Sequence, residues 1–392
     1  MSETNYSGET VEKSASFACE SCGAMALYDP ESGKLKCPYC NHMTDIDTII
    51  GKQNEYPLDD APTEKQQDWG TSMRVVQCQS CGAQTVLEKN QAATVCAFCG
   101  STHVLEDQAG EAGIAPESVI PFKVTDNIAL PAFRRWLKRK PFAPSGAKKA
   151  SMLGNITGVY LPHWTYDSDC HAVYTGEAGH AYYVTVARQV QRDGKTVTEH
   201  VQERRIRWEP TRGVVSNYFD DVLVAGSKRL DESILSRVRP YDLSKLAKYQ
   251  PAFVSGFVSE KPSVSVREGW QTAQGIIENK MRSLAHDDII MRNHADEARV
   301  HSISCDNRDV KYKLTLLPMY VSSFGYKKKT FHVLVNGQTG KVGGQAPVSP
   351  IRVCIAVVLG LALIALLYWL YTTYFGGDAG EVVSSAVNYW TY

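Results

Sequence analysis

Residues 17–40 read FACESCGAMALYDPESGKLKCPYC, and residues 76–99 read VQCQSCGAQTVLEKNQAATVCAFC. Each stretch contains two Cys-x-x-Cys pairs, and 14 residues separate the pairs in both stretches. Every cysteine of the second stretch follows its counterpart in the first by 59 positions, and the text around the cysteines is similar. The chain therefore carries an internal repeat of one small cysteine-rich unit.

The cysteine spacing of each repeat is that of a structural zinc site. Zn²⁺ prefers four tetrahedral ligands, and two Cys-x-x-Cys pairs brought together by a hairpin supply them. A segment of about 34 residues buries too little surface to fold alone, so we predict two tandem zinc ribbons stabilised by one ion each. Protein side chains fill every ligand position, which leaves none open for catalysis. The predicted metal ligands are Cys19, Cys22, Cys37 and Cys40, followed by Cys78, Cys81, Cys96 and Cys99.

The residue after the second cysteine of each pair supports this prediction. A metal-binding turn often needs a positive φ at that position, which glycine adopts easily and asparagine tolerates. Glycine follows in three pairs, at Gly23, Gly82 and Gly100, and Asn41 follows in the fourth. The tetrapeptide at residues 37–40, Cys-Pro-Tyr-Cys, also occurs in glutaredoxin-type redox dithiols. Redox chemistry would require a thioredoxin-like βαβ context, so the paired repeat favours zinc.

The composition is that of a folded protein with reduced thiols. The 392 residues include 42 Lys and Arg, 42 Asp and Glu, and 11 cysteines. An odd number of cysteines, mostly in Cys-x-x-Cys pairs, argues against a secreted disulfide framework. Binding two Zn²⁺ through eight thiolates would make the neutral chain mildly acidic, which gives no general electrostatic attraction to nucleic acid.

The rest of the chain reads as an α+β domain followed by an apolar helix. We expect helices from near Asp126 through Leu137 and from about Val266 to His294, and hairpin turns at Asp193-Gly194 and Asn336-Gly337. Strands and helices do not alternate regularly, so the mixed domain should be rich in antiparallel strands rather than doubly wound. The predicted segments are a disordered N-terminus (1–16), ribbon 1 (17–50), a linker (51–72), ribbon 2 (73–106), the α+β domain (117–347), a transmembrane helix (351–375) and a short external tail (376–392).

Residues 353–375 predict a single membrane span. They contain no charged side chain, and 23 helical residues span about 34 Å, enough for a hydrocarbon core of about 30 Å. Tyrosine and tryptophan crowd the end of the stretch, as in an interfacial aromatic belt. No apolar signal segment follows the N-terminus. Basic residues precede the span and none follow it, so the positive-inside rule predicts a single-pass protein of the inner (cytoplasmic) membrane with residues 1 to about 352 in the cytoplasm. The preceding basic residues are Lys327, Lys328, Lys329, Lys341 and Arg352.

Three further groups of residues can each be interpreted in two ways. The polar residues His163, Asp167, Asp169, Cys170 and His171 suggest either a metal or acid–base site or, as we prefer, a strand and turn with surface polar groups. Residues 337–341 lack the first glycine and the hydroxyl residue of a phosphate loop, so we interpret them as a hairpin turn. The basic helix residues Arg134, Arg135, Lys138, Arg139 and Lys140, with Lys148 and Lys149, form either a solvated face or a site for anionic lipid or nucleic acid.

The chain resembles a bacterial family of zinc-ribbon membrane proteins. The stretches that carry the resemblance run from about residue 17 to 350: FACESCGA…KLKCPYC, VIPFKV, GVYLPHWTYDSD, NYFDDVLVAGS, LLPMYV and HVLVNGQTGKVGGQAPVSP. Members are described as having a transcription-factor-IIB-type zinc ribbon, or as primosomal protein N-prime (replication factor Y) helicase-like. A helicase needs a phosphate loop and an acidic metal-binding motif, and this sequence has neither. The resemblance implies no catalytic residues, and it implies partners similar to phage-shock protein A or flotillins.

We therefore expect a non-enzymatic adaptor. The ribbons and the α+β domain would present protein-binding surfaces at the cytoplasmic face of the membrane, in the context of membrane stress. The alternative is a nucleic-acid-binding protein, such as a replication or helicase accessory, that is tethered to the membrane. An enzyme built on residues 163–171 is the third and weakest hypothesis.

Overall fold

The computed structural model describes residues 17–51, 53–61, 73–80, 83–88, 96–98, 101, 104–106, 114–150, 156–192, 195–229, 232–327 and 329–374. It is an α+β protein rich in antiparallel strands, as predicted. The strands are β1 (Leu27–Asp29), β2 (Lys34–Lys36), β3 (Met43–Thr44), β4 (Tyr56–Pro57), β5 (Met73–Cys78), β6 (Gln84–Glu88), β7 (Val104–Glu106), β8 (Ser118–Val119), β9 (Thr157–Arg192), β10 (Lys195–Ala225), β11 (Ala247–Lys248), β12 (Val258–Glu260), β13 (Glu297–Tyr326), β14 (Lys329–Asn336) and β15 (Val342–Gly344). The α-helices are α1 (Asp126–Lys138), α2 (Ser145–Ala150), α3 (Glu232–Val238), α4 (Val266–Asn293) and α5 (Pro350–Tyr374).

Three very long strands form the centre of the molecule. β9, β10 and β13 contain 36, 31 and 30 residues, and β9 pairs antiparallel with both of the others. Bulges interrupt β10 between Phe219 and Val222 and interrupt β13 between Arg308 and Lys311. Bulges bend and twist a strand without ending its pairing, which lets these strands continue far beyond the usual five or six residues. The predicted turn at Asp193-Gly194 joins β9 to β10 but lies outside the described residues.

Helix α4 packs along this three-stranded sheet. Its N-cap Ser265 accepts a hydrogen bond from the backbone N–H of Glu268, and His294 ends the helix in the left-handed conformation. Residues spaced three or four apart are buried, because one stripe of a helix faces the core. That stripe consists of Val266, Gly269, Ala273, Ile277, Met281, Ala285 and Ile289. The predicted helix at 266–294 is thereby confirmed, as is the helix predicted from Asp126.

The far ends of β9 and β10 form a two-stranded arm. The pairing of β13 with β9 begins at Glu297 opposite Gly179, whereas β9 and β10 continue together to Arg192 and Lys195. We name residues 181–192 and 195–206 the arm. Its 12 residue pairs extend about 40 Å at the usual rise of a strand. None of its described side chains, at 181–190 and 196–206, is buried.

Both cysteine-rich segments are attached to the central domain. The first forms a small sheet of β1, β2 and β3, and Tyr28 in β1 donates a hydrogen bond to the carbonyl of Phe122. In the second, β5 pairs with β6, and β6 pairs with β12, which in turn lies beside β9 in the large sheet. Residues 53–61, within the segment that the sequence suggests is a linker, include β4, which pairs with Lys311 and Tyr312 of β13.

Helix α5 is the predicted apolar C-terminal helix. It contains 25 residues, none of which is buried, and it is long and apolar enough to cross a membrane. Its 25 residues would extend about 37 Å, more than the roughly 30 Å of a bilayer's hydrocarbon core. The tail after Tyr374 lies outside the described residues.

Candidate metal centre

The first four cysteines lie on two turns that share the same pattern of backbone hydrogen bonds. In one turn, the N–H of Cys19 donates to the carbonyl of Ala24 at 2.7 Å, and the N–H of Gly23 donates to the carbonyl of Cys19 at 2.8 Å. In the other, the N–H of Cys37 donates to His42 at 2.9 Å, and the N–H of Asn41 donates to Cys37 at 3.0 Å. The two Cys-x-x-Cys pairs therefore form matching turns.

Positive φ angles close both turns. Gly23 has φ of 75° and Asn41 has φ of 59°, in the left-handed region that glycine and asparagine adopt most easily. The sequence predicted this conformation from the residue types alone. Between the turns, β1 and β2 form a hairpin whose Asp29 carboxylate accepts hydrogen bonds from the N–H and hydroxyl of Ser32. The hairpin brings the two turns to the same end of the unit.

The four sulfur atoms converge on one point. Sγ of Cys19 lies 3.5 Å from Sγ of Cys40, Sγ of Cys22 lies 3.5 Å from Sγ of Cys37, and all four lie within 4.8 Å of one another. A tetrahedral zinc site with Zn–S bonds of about 2.3 Å places its sulfurs about 3.8 Å apart. The four-cysteine group near the N-terminus is therefore able to hold a metal ion, and its thiols suit Zn²⁺.

The backbone also favours the metal-binding form of one thiol. Hydrogen bonds from the N–H groups of Cys40 and Tyr39, and from the thiols of Cys22 and Cys40, lower the pKa of the Cys37 thiol to about 6, whereas the pKa of the neighbouring Cys22 thiol is raised. Zn²⁺ binds the thiolate rather than the thiol, so a lowered pKa reduces the cost of deprotonation at neutral pH.

The second cysteine repeat is described in part. Cys78 and Cys96 are buried in one apolar cluster with Ala83 and Phe98, whereas Cys81 and Cys99 lie outside the described residues. The N–H of Cys78 donates to Ala83 at 2.9 Å, and the N–H of Cys96 donates to Ser101 at 2.8 Å. Each of these hydrogen bonds runs from the N–H of a cysteine to the carbonyl five positions later, as in the two turns of the first repeat. The hydroxyls of Ser80 and Ser101, 2.7 Å apart, connect the two turns.

The polar residues at 163–171 lie along the central strand β9. His163 and Asp167 are 2% exposed and Cys170 is 0% exposed, so the expectation of surface polar groups is wrong for these three. Side chains alternate along a strand, which puts Cys170 on the opposite face from the other four. His163 Nδ1 lies 3.2 Å from the carbonyl of Leu161, and burial lowers the pKa of this histidine to about 4. The half-exposed His171 contacts Asp169 and the hydroxyl of Ser216.

Asp167 instead belongs to a cluster that the sequence did not reveal. Its carboxylate oxygens accept hydrogen bonds from the N–H of Asp221 at 2.9 Å and from the hydroxyl of Tyr218 at 3.4 Å. Carboxylate oxygens of Asp167, Asp220 and Asp221 lie within 4.8 Å of one another, close enough to hold a cation. The Asp220-Asp221 doublet faces Asp167 because the bulge in β10 places two residues opposite one.

Lys313 supplies the positive charge of this cluster. Its ammonium lies 2.7 Å from Asp221 and 3.1 Å from Glu55. Burial lowers the pKa of Lys313, but the carboxylates of Asp221 and Glu55 outweigh it and the net pKa is raised. Burial, together with the negative charge of Glu55, raises the pKa of Asp167. The sequence signal for this site was the acidic doublet in the otherwise apolar text NYFDDVLVAG.

The helix predicted from near Asp126 through Leu137 is α1, and its apolar stripe is buried. Ala129, Phe133 and Leu137 pack into the core, while Arg135, Lys138, Arg139 and Lys140 are exposed. The ammonium of Lys140 lies 4.8 Å from the centre of the Trp136 ring. Residues 337–341 form the loop between β14 and β15, as predicted for a hairpin turn.

Comparison with known proteins finds a similar chain in Bacillus subtilis. The chain is 27% identical over 342 residues to the uncharacterized protein YdjG of Bacillus subtilis (strain 168), and the match covers 85% of this chain and 90% of YdjG. No family model matches the chain, and no solved structure matches it. The similarity therefore extends over most of both chains but assigns neither an activity.

Proposed function

We propose that this chain is a single-pass protein of the cytoplasmic membrane that binds zinc and acts as a non-enzymatic adaptor. Its cysteine-rich units and α+β domain would lie in the cytoplasm and present surfaces to other proteins. The family resemblance, to bacterial zinc-ribbon membrane proteins, is part of the proposal, as are partners similar to phage-shock protein A or flotillins.

The proposal includes two structural zinc ions. Four converging sulfurs support the first ion, and the matching five-residue hydrogen bonds at Cys78 and Cys96 support the second. Zinc bound by four protein thiolates stabilises a small fold and has no free coordination position, which fits a scaffold better than a catalyst. We propose the same ligands for both ions as the sequence predicted.

The arm is the observation that carries the adaptor role. A two-stranded ribbon is at best marginally stable in water, and its unpaired edges can accept a further strand. Among the described residues, neither arm strand has a second pairing partner beyond Gly179 and Trp208. Large side chains are exposed along it, including Tyr182, Tyr183, Val197 and Val201. Strand addition is a common mode of protein recognition, so we propose the arm as the main protein-binding surface.

Residues at the root of the arm contact residues 296–299, which would favour one direction for presenting a partner. The guanidinium of Arg299 lies 3.8 Å from the centre of the Trp208 ring, and Arg204 forms an ion pair with Glu297 at 2.8 Å. The carboxylate of Asp296 accepts a hydrogen bond from the N–H of Ala181. The alternative role, binding nucleic acid, has weaker support because the chain has as many acidic as basic residues and so no net positive charge.

Shortening the arm tests the proposal. His180 and Arg207 face each other, so an Asn-Gly turn can replace residues 181–206 and close the hairpin at its root. We expect the shortened protein to remain in the membrane and keep its zinc but to lose the proteins that crosslink to the wild type in cells. An unchanged set of crosslinked proteins would contradict the adaptor role.

Metal analysis of the detergent-extracted chain tests the zinc part independently. We expect about two zinc ions per chain, and about one after Cys22→Ser or Cys78→Ser. Cys354→Ser is the matched control, because this exposed cysteine lies in α5 outside both repeats. One ion or none in freshly purified wild-type protein would contradict this part of the proposal and leave the arm experiment unaffected.

A further inference from the structure

The start of helix α5 is bonded to the loop between α1 and α2. The guanidinium of Arg352 donates to the carbonyls of Pro141 at 3.2 Å and Ala143 at 2.6 Å, and to the hydroxyl of Ser145 at 2.7 Å. One residue before the helix, the N–H of Ser349 donates to the carbonyl of Phe142 at 2.9 Å. If α5 spans the membrane, the α1–α2 loop and the end of α1 lie at the level of the lipid headgroups.

The two chain stretches that meet near the start of α5 contain basic residues and no acidic ones. No acidic residue occurs between Asp126 and Asp167 or between Asp309 and Asp378, although the whole chain has 42 acidic and 42 basic residues. These two stretches pack together, with the ring of Phe133 6.3 Å from that of Phe324. The positive surface therefore comes from a local separation of charge and not from a basic composition.

Four exposed basic side chains at the end of α1 form no ion pair with the described residues. Within the described part of the chain, no carboxylate lies within 4.0 Å of Arg135, Lys138, Arg139 or Lys140. Some basic residues on other surfaces have acidic partners, as Arg282 has Glu278 at 3.1 Å and Lys228 has Glu268 at 2.7 Å. Unpaired cations at a membrane surface attract anionic headgroups.

Apolar side chains surround the same point. Phe142 is 40% exposed, Val348 is 62% exposed and Ile351 is 71% exposed, and all three adjoin the start of α5. Aromatic and aliphatic side chains next to lysine and arginine are typical of segments that lie in the membrane interface. Lys140 over Trp136 is one such pair.

We infer that the end of α1 and the α1–α2 loop bind anionic phospholipid headgroups. Arg135, Lys138, Arg139 and Lys140 contact the phosphates, while Phe142 enters the interface beside α5. The inference rests on the proposed membrane insertion of α5. It adds a second attachment, which holds the domain against the bilayer and sets the direction of the arm.

Native mass spectrometry of the full chain in detergent tests this inference. The probes are phosphatidylglycerol and phosphatidylcholine with the same acyl chains. We expect the wild type to bind phosphatidylglycerol about tenfold more tightly than phosphatidylcholine. The preference should disappear in a quadruple variant, Arg135→Gln, Lys138→Gln, Arg139→Gln and Lys140→Gln.

A second quadruple variant controls for the loss of four charges. Arg188→Gln, Arg212→Gln, Arg267→Gln and Lys280→Gln remove exposed basic residues of the arm, β10 and α4, and should leave the lipid preference intact. An equal preference in all three proteins would overturn the inference. Binding of duplex DNA that is lost only in the α1 variant, without any lipid preference, would also overturn it and would assign the surface to nucleic acid.

If α5 does not insert into the membrane, the same preparation gives a different result. In that case the full chain would remain soluble without detergent, which contradicts the proposed function itself. A chain that requires detergent but shows no lipid preference contradicts only the α1 inference. The two outcomes are therefore distinguishable in one preparation.

Discussion

The ammonium of Lys313 and the carboxylate of Glu55 form a buried ion pair 3.1 Å long, with side chains 5% and 6% exposed. Glu55 precedes β4, and Lys313 lies in β13, so the pair fixes the segment between the two cysteine repeats to the central sheet. Asp221 shares the same ammonium at 2.7 Å. With Asp167, whose carboxylate accepts a hydrogen bond from the N–H of Asp221, this cluster connects four distant parts of the sequence.

Lys313 is the only basic residue of this cluster among the described residues, and removing its charge should lower the free energy of unfolding. Lys313→Met leaves the carboxylates of Glu55, Asp167 and Asp221 together without their counter-charge. We expect the free energy of unfolding to fall by about 3–5 kcal/mol, the usual cost of breaking a buried pair. Pulse proteolysis in mild detergent measures the change, and Lys311→Met, two residues away and partly exposed, is the control. A loss no larger than that of the control would refute the structural role of this cluster.

Glu260 gives the protein a defined pH dependence. It is 1% exposed, its carboxyl accepts a hydrogen bond from Ser227 at 2.6 Å, and burial raises its pKa to about 7. Between about pH 4.5 and pH 7 the folded state keeps this proton and the unfolded state has lost it. Stability contributed by this group is therefore greatest at low pH and falls by about 1.4 kcal/mol per pH unit through this range.

Glu260→Gln should remove that slope and stabilise the protein at pH 7.5 relative to the wild type. Unfolding free energies at pH 5.0, 6.0, 7.0 and 7.5 provide the measurement. Glu199→Gln, on the exposed arm, should keep the wild-type slope. If the unfolding free energies of the wild type and Glu260→Gln depend identically on pH, Glu260 is ionised in the folded state at all four pH values.

The backbone at Gly23 should set part of the metal affinity. A Cβ there meets no atom within 4 Å, so Gly23→Ala adds no clash and acts only through its φ of 75°. The left-handed conformation costs a non-glycine residue about 1–2 kcal/mol, which corresponds to about tenfold weaker zinc binding at the first site. Competition with a chromophoric chelator measures this affinity.

Gly275→Ala is the matched control for this substitution. Gly275 lies in the middle of α4, and a Cβ there also meets nothing within 4 Å. Alanine in a helix should leave zinc affinity unchanged and raise stability by about 0.5–1 kcal/mol. If both alanine variants bind zinc as the wild type does, the positive φ at Gly23 is not needed for the site.

Sequence patterns predicted the helices and the cysteine turns well, because both follow from local rules. The helical spacing in residues 266–294, the apolar stretch at 353–375 and the glycines after the cysteines each depend on neighbours within a few residues. The first four cysteines could be grouped for the same reason, since a short hairpin joins their turns.

The long strands and the acidic cluster could not be predicted in this way. Polar residues such as Asp167 and His163 interrupt the apolar pattern of β9, and only tertiary contacts decide that they are buried within a continuous strand. Asp167, Asp221, Glu55 and Lys313 come from four separate segments, and a bulge determines which of them meet. Neither the pairing of distant strands nor the position of a bulge is encoded by local periodicity.

Photo-crosslinking from the arm in living cells tests the adaptor role most directly. A photoreactive amino acid at Val197, 47% exposed on the arm, is compared with one at Ile276, 43% exposed on α4. The account predicts adducts of discrete mass with other proteins from position 197 and few or none from position 276. No adducts from position 197, or the same products from both positions, would contradict it.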